Sequence, residues 1–360
     1  MSTTSQKIKA RRLTLIAIGI VILLAAAGCG GSGAASEGAV GTQDAGSGEG
    51  TISVVTSFYP IYFLAREIGG DRADVVNLVP AGVEPHDWTP KSKDMARIAK
   101  AKLFLYNGAG LEGWVDDFLQ GAGQVGGLTT AEVSKGIELL DGNGHTEEDG
   151  HAQEDSRGEG DGHAEKDGHA EEDGHGHEEE EEGHSHGGVD PHTWVSPKSA
   201  IVMAANIRDS FVKVDSDGKE VYEANYAALK QRLEKLDADF ASTLAPLPKK
   251  QIVVSHQAFS YLCRDYGLEQ RSIMGLAPDA EPRAQDLLRI AEFVKEHDVR
   301  YIFFEELVSP ALAKTMARET GAETLVLNPL EGLTPEQEAK GENYITLMEA
   351  NLQNLAKALQ

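Results

Sequence analysis

Residues 141–190 cannot build a packed core, and that limits what the rest of the chain can fold into. The segment holds nineteen acidic residues against two basic ones, Arg157 and Lys166. It also holds eight of the twelve histidines: His145, His151, His163, His169, His175, His177, His184 and His186. With almost nothing apolar to bury, it cannot offset the entropy of ordering. A six-residue beat, Asp-Gly-His at 161, 167 and 173, marks it as low complexity rather than a stacking repeat. Folded structure must therefore be assembled from the sequence on either side. Dense imidazole and carboxylate groups also make the segment attractive to metal ions.

The net charge of -25 is concentrated there. The segment carries -17 of it, which leaves an ordinary acidic balance elsewhere. No basic patch is present to meet nucleic acid. At the N-terminus, Lys7, Lys9, Arg11 and Arg12 precede an apolar stretch at 13–27 that closes on Ala26-Ala27-Gly28-Cys29. This reads as an export signal at 1–28, too short for a full membrane span. The position of Cys29 resembles the lipobox of bacterial lipoproteins, which implies lipid attachment at Cys29; plain secretion is the alternative. Gly, Ser and Ala dominate 29–50, as in a flexible tether. Cys263, in an apolar helical pattern, is expected to be a buried thiol.

From residue 51 the pattern alternates. Strands are expected at 52–58, 74–79 and 103–106, with helices at 59–68, 94–101 and 113–120. That spacing gives βαβ units and a parallel sheet. After the acidic segment, Ser196-Pro197 starts a helix to about 214. A second helix runs from about 219 to 244, with Tyr222, Tyr226, Leu229, Leu233, Leu236 and Phe240 on one face. At about 38 Å it is long enough to cross between two lobes. A second α/β set follows, with strands at 251–255, 299–304 and 324–327 and helices at 257–266, 282–297, 310–320 and 341–359. The expected fold class is α/β: two lobes, each with a mainly parallel sheet and flanking helices, joined by a long inter-lobe helix. The boundaries are an N-terminal lobe at 51–140, a disordered metal-attracting loop at 141–189, the end of that lobe and the linking helix at 190–248, and a C-terminal lobe at 249–360.

Four histidines lie outside the acidic segment. His86, His192 and His256 each stand at a strand end or just before a helix. Ligand groups gather at the carboxyl ends of strands in open α/β sheets. His297, at a helix end, reads as a solvated residue near the helix C-terminus. Trp88 and Trp194 follow two of these histidines by two residues and either wall a site or pack a lobe.

Gly82-Val-Glu-Pro-His86-Asp-Trp, Asp190-Pro-His192-Thr-Trp, Ser255-His256-Gln-Ala-Phe and Leu327-Asn-Pro-Leu-Glu331-Gly-Leu resemble, in order, the motifs of bacterial metal-binding lipoproteins. Those proteins are the substrate-binding components of ABC importers for zinc and manganese. The resemblance covers about residues 51–358. It implies a rigid two-lobed binding protein rather than an enzyme, with one metal ion in the cleft. It also implies that the positions matching His86, His192 and His256 are ligands. A fourth ligand is expected from the C-terminal lobe, where Asn328 replaces a common Asp. Glu331 is favoured, and Glu305, Glu306, Glu84 or water are the rivals. Three imidazoles with one carboxylate suit tetrahedral Zn²⁺, whereas Mn²⁺ prefers more oxygen.

The expected partners are an ABC permease and, through Cys29, the outer face of the cell membrane, with the protein a monomer. The alternatives are a manganese-binding homologue, a surface adhesin or metal-buffering lipoprotein, and last a zinc hydrolase, for which no His-Glu-x-x-His helix exists. The eight clustered histidines would be low-affinity accessory sites. Deleting 145–186 should then preserve one tight zinc site and lower total stoichiometry, as metal analysis would read. Loss of the tight site on deletion would contradict this division.

Overall fold

The computed structural model describes residues 50–122, 126–142, 188–279 and 281–360. The export signal, Cys29, the tether up to residue 49 and the eight clustered histidines lie outside the described residues.

The first sheet contains β1 (Ile52–Thr56), β2 (Ala73–Asn77), β3 (Leu103–Tyr106) and β4 (Thr129–Glu132), in the order β2-β1-β3-β4. The second contains β5 (Gln251–Val254), β6 (Glu269–Ser272), β7 (Tyr301–Phe304) and β8 (Glu323–Val326), in the order β6-β5-β7-β8. Every pairing is parallel, and the two sheets repeat one topology. Parallel strands covered on both faces should be continuously apolar. Val54-Val55 and Ile252-Val253-Val254 fit this, being essentially inaccessible. Each order reverses beside its first strand, where a crevice opens at the carboxyl edge.

The helices are α1 (Tyr59–Gly69), α2 (Ser92–Lys100), α3 (Val115–Ala122), α4 (Pro197–Val214), α5 (Lys219–Leu244), α6 (Ser260–Tyr266), α7 (Ala284–Glu296), α8 (Ala311–Thr320), α9 (Pro335–Lys340) and α10 (Tyr344–Ala358). Three elements escape the sequence pattern. Strands β4 (Thr-Thr-Ala-Glu) and β6 (Glu-Gln-Arg-Ser) are half-buried sheet edges, polar enough to carry no apolar signal. Helix α9 is short but well capped: Thr334 Oγ1 accepts from Gln337 N, and Gln337 Oε1 accepts from Thr334 N. Helix α10 begins at Tyr344 rather than at 341, because Asn343 Oδ1 takes the Ile345 and Thr346 N–H groups. Helix α6 starts at Ser260, after a turn in which Ala258 N bonds His256 O.

Helix α5 ties the two sheets' lobes together. It packs against α1 and α4 on one side and α6 and α10 on the other. Tyr222, Leu229, Leu233, Leu236, Phe240 and Leu244 are buried along it. One apolar cluster consequently runs from Val54 and Leu103 through α5 to Val254 and Leu355. Satellite clusters lie on the outer face of each sheet, around Phe104 and around Ile302. Among the described residues, no helix is long and apolar enough to cross a membrane.

Helix α5 supplies a direct stability test. Leu233 is fully buried, so Leu233→Ala should cost about 2–5 kcal/mol through lost burial and a cavity. Exposed Gln231→Ala on the same helix should stay within about 0.5 kcal/mol. Denaturant unfolding of the two variants measures the difference.

Candidate metal centre

Four loops at the carboxyl ends of the strands converge on one point. The loop after β2 carries His86. Its Gly82 has φ +80° and gives its N–H to Leu333 O across the cleft at 2.8 Å. The segment 190–194 carries His192 and is gripped from several sides. Asp190 N bonds Leu140 O at 2.8 Å, and Asn107, just past β3, donates from Nδ2 to Pro191 O at 2.9 Å. Two tyrosines of the second lobe hold its ends: Tyr261 donates to Asp190 O at 2.7 Å and Tyr344 to Trp194 O at 2.6 Å. His256 follows β5. Glu331 follows β8 in a loop braced by Asn328, whose N–H and carbonyl both bond the Asn351 amide at 2.8 and 2.7 Å. Asn328 Oδ1 also accepts Leu330 N–H, holding Leu330 at φ +64°.

The donor atoms are His86 Nε2, His192 Nε2, His256 Nε2 and Glu331 Oε1. His192 Nε2 lies 3.1 Å from that of His86 and 3.3 Å from that of His256. Glu331 Oε1 lies 3.3, 3.4 and 3.4 Å from the nitrogens of His86, His192 and His256. Their side chains are no more than 1% exposed. An ion with four bonds of about 2.0–2.1 Å sits in a tetrahedron whose edges are about 3.3–3.4 Å. These five separations fall close to those edges, so the four residues could hold such an ion.

The other ring nitrogens explain why lone pairs meet there. His192 Nδ1 lies 2.8 Å from Asp190 Oδ1, and His256 Nδ1 lies 2.6 Å from Glu305 Oε1. A carboxylate accepts only, so each neutral ring carries its hydrogen on Nδ1 and a lone pair on Nε2.

The pattern that defines the ZnuA family, zinc-uptake complex component A, periplasmic, matches residues 54–358. The chain belongs to this family. It is 41% identical over 308 residues to the high-affinity zinc uptake system protein ZnuA of Bacillus subtilis (strain 168), covering 86% of this chain and 88% of that protein. It is 39% identical over 307 residues to the zinc-binding lipoprotein AdcA of Streptococcus pneumoniae (strain ATCC BAA-255 / R6). That match covers 85% of this chain but 56% of AdcA, so the chain spans little more than half of that relative. The crystal structure of the Zn(II)-bound ZnuA-like domain of S. pneumoniae AdcA superimposes with a TM-score of 0.67 at 36% identity, covering 86% of this chain and 99% of that one.

Within this ZnuA-family chain, Glu305 and Glu306 bond elsewhere, while Glu84 lies beside Glu331. Glu305 faces Nδ1 of His256 and takes the Ser255 hydroxyl at 2.6 Å. Glu306 accepts from Asn328 Nδ2 at 2.9 Å and Gln337 Nε2 at 2.5 Å. Glu84 Oε1 accepts the His86 main-chain N–H at 3.1 Å, while burial and then repulsion from Glu331 push its carboxyl up to about 9. Trp194 does both jobs weighed for it. It is fully buried, packs edge-on against Phe58 at 4.7 Å, donates to Pro329 O at 2.7 Å, and lies 5.2 Å from the His192 ring. Trp88 is partly buried and pairs with Trp114. His297 is more packed than expected: its ring stacks on Phe293 at 4.1 Å, half-buried at the end of α7. Cys263 is a buried thiol pushed up by burial.

Sequence reasoning passed over Asp190 and the two tyrosines. The Asp-Pro-His spelling was the available signal, since an Asp side chain readily accepts the N–H two residues on; here it does so at 2.9 Å.

Protons compete for the same lone pairs. Burial opposes charge on His256, but Glu305 and Glu331 overrule it and hold its pKa well above the ordinary value. Burial likewise opposes charge on His192, which Asp190 overrules. His86 is lowered, chiefly by burial. Glu331 stays well below the carboxylate range despite burial, because His256 and the other rings attract its charge. A bound ion needs the neutral rings, so it must displace protons held below the raised values. Apparent affinity should therefore rise with pH through the neutral range and level off above those values. Calorimetry in buffers of different ionisation heat should record proton release on zinc binding at pH 6.5. Zero release there would contradict the competition.

Proposed function

We propose that this chain is the extracytoplasmic capture component of a zinc importer, holding one Zn²⁺ on His86, His192, His256 and Glu331 and passing it to an ABC permease. Zinc is its cargo. The supporting observation is the donor set itself: three imidazole nitrogens and one carboxylate oxygen gathered within 4.8 Å of one another on side chains shielded from solvent. Borderline Zn²⁺ suits nitrogen-rich, four-coordinate sites, whereas Mn²⁺ and Ca²⁺ prefer more oxygens. Two donors precede α5 in the chain and two follow it, so the ion would bridge both lobes. With four protein donors, no position is left for the reactive water that a catalytic zinc needs. Membership of the ZnuA family agrees with capture for uptake. Lipid attachment at Cys29 would keep the protein beside its permease, as a monomer.

Competitive titration with a zinc chelator tests the site. The wild type should hold one ion tightly. His86→Ala, His192→Ala, His256→Ala and Glu331→Ala should each lose more than the roughly 10–100-fold that changes around ligands cause. Full, tight binding in the three histidine variants would refute the assignment. Growth under zinc limitation should depend on this protein only while its permease is present.

A further inference from the structure

Two buried carboxylates stand directly behind the donor set without joining it. Asp190 Oδ1 accepts the main-chain N–H of His192 at 2.9 Å and faces Nδ1 of the same ring at 2.8 Å. Glu305 Oε1 takes the main-chain N–H of His256 at 3.3 Å and faces its Nδ1 at 2.6 Å. The chain reaches this arrangement by unrelated routes. Asp190 sits two residues before its histidine, on a turn held by Pro191 and Tyr261. Glu305 comes from the end of β7, beside β5 in the sheet, and the Ser255 hydroxyl at 2.6 Å helps fix it.

The shared geometry has a chemical consequence. Imidazole ligates through a nitrogen that carries no hydrogen, and which nitrogen that is depends on the partner of the other. In each pair one oxygen is tied to both main chain and ring. The ring can then neither turn away without losing its bond to a buried carboxylate nor place its hydrogen on Nε2 without setting a bare Nδ1 lone pair against that oxygen. The negative charge behind the ring also strengthens the nitrogen as a donor.

We propose that Asp190 and Glu305 are positioning residues for metal capture, each locking one histidine as an Nε2 donor and favouring nitrogen-seeking Zn²⁺ over Mn²⁺. This rests on the zinc-capture reading above. Glu84-Pro85-His86 repeats the acid-Pro-His spelling, and Glu84 Oε1 also takes the main-chain N–H of its histidine, at 3.1 Å.

The test compares Asp190→Asn, Asp190→Ala, Glu305→Gln and Glu305→Ala with wild type, all as full-length chain. Zinc and manganese affinities are read by chelator competition, and coordination by the visible spectrum of the Co²⁺ form. The amides keep an oxygen for the main-chain N–H and the ring while removing the charge and exchanging the second oxygen for an NH2 group, so each should bind zinc about tenfold more weakly with a four-coordinate cobalt spectrum. The alanines release the ring as well. They should approach a 100-fold loss and a weaker spectrum of higher coordination number. In every variant the preference for zinc over manganese should narrow, which a purely structural role would not produce. Should an alanine variant fail to fold, the amide variants decide. Amide variants with wild-type zinc affinity and an unchanged zinc-to-manganese ratio overturn the proposal. The His86→Ala and Glu331→Ala variants, run alongside, separate the two claims. If they lose zinc while the carboxylate variants do not, only the positioning role fails. If wild type itself holds no tight zinc, the capture reading falls and this proposal with it.

Discussion

Three imidazole nitrogens and a carboxylate oxygen are held within 4.8 Å of one another, away from water. The nitrogens repel one another, and the buried anion is stabilised only when a ring proton or a metal cation sits among them. The protein must therefore hold the four atoms together by force of structure. Much of the fold can be understood as the means of doing so.

The means are covalent brevity and packing. His192, His256 and Glu331 lie within five residues of a strand end or a helix start, so little chain separates them from rigid framework. The longer His86 loop is tied down by the bond from Gly82 N to Leu333 O. The first lobe's His192 segment is bonded at both ends to tyrosines of the second. Ser196 Oγ bonds Asp265 beside it. Trp194 crosses in the same direction to Pro329, two residues from Glu331. Behind these contacts, one apolar core runs through α5 between both sheets. Closely packed interiors transmit strain rather than absorb it, so the donors keep their spacing against their own repulsion.

The sequence exposed the framework because its central strands and long helix carry strong periodic signals. Ile252-Val253-Val254 and the three-and-four spacing along α5 are visible without coordinates. The edge strands β4 and β6 were not, since half-burial places polar side chains there and main-chain pairing alone makes them strands. The site divides in the same way. His86, His192 and His256 stand out as isolated histidines at strand ends. Glu331 stands among four acids and a water in the sequence, because which carboxylate turns inward depends on side-chain bonding far along the chain. Asn351, twenty-three residues beyond Asn328, braces the loop that aims it.

Glu305 shows why composition around a site cannot assign roles by itself. On sequence it is a rival to the favoured Glu331: a carboxylate at the end of a strand in the same lobe. What separates them is which imidazole nitrogen each one meets. Glu331 meets three Nε2 atoms and joins the donor set, whereas Glu305 meets one Nδ1 atom and stands behind it. A ring nitrogen that faces a carboxylate is fixed as a hydrogen donor, and its partner nitrogen is thereby fixed as an acceptor. The two acids thus act at opposite ends of one ring. Their arrangement converts a cluster that protons could occupy in several ways into one that presents its lone pairs at a single point.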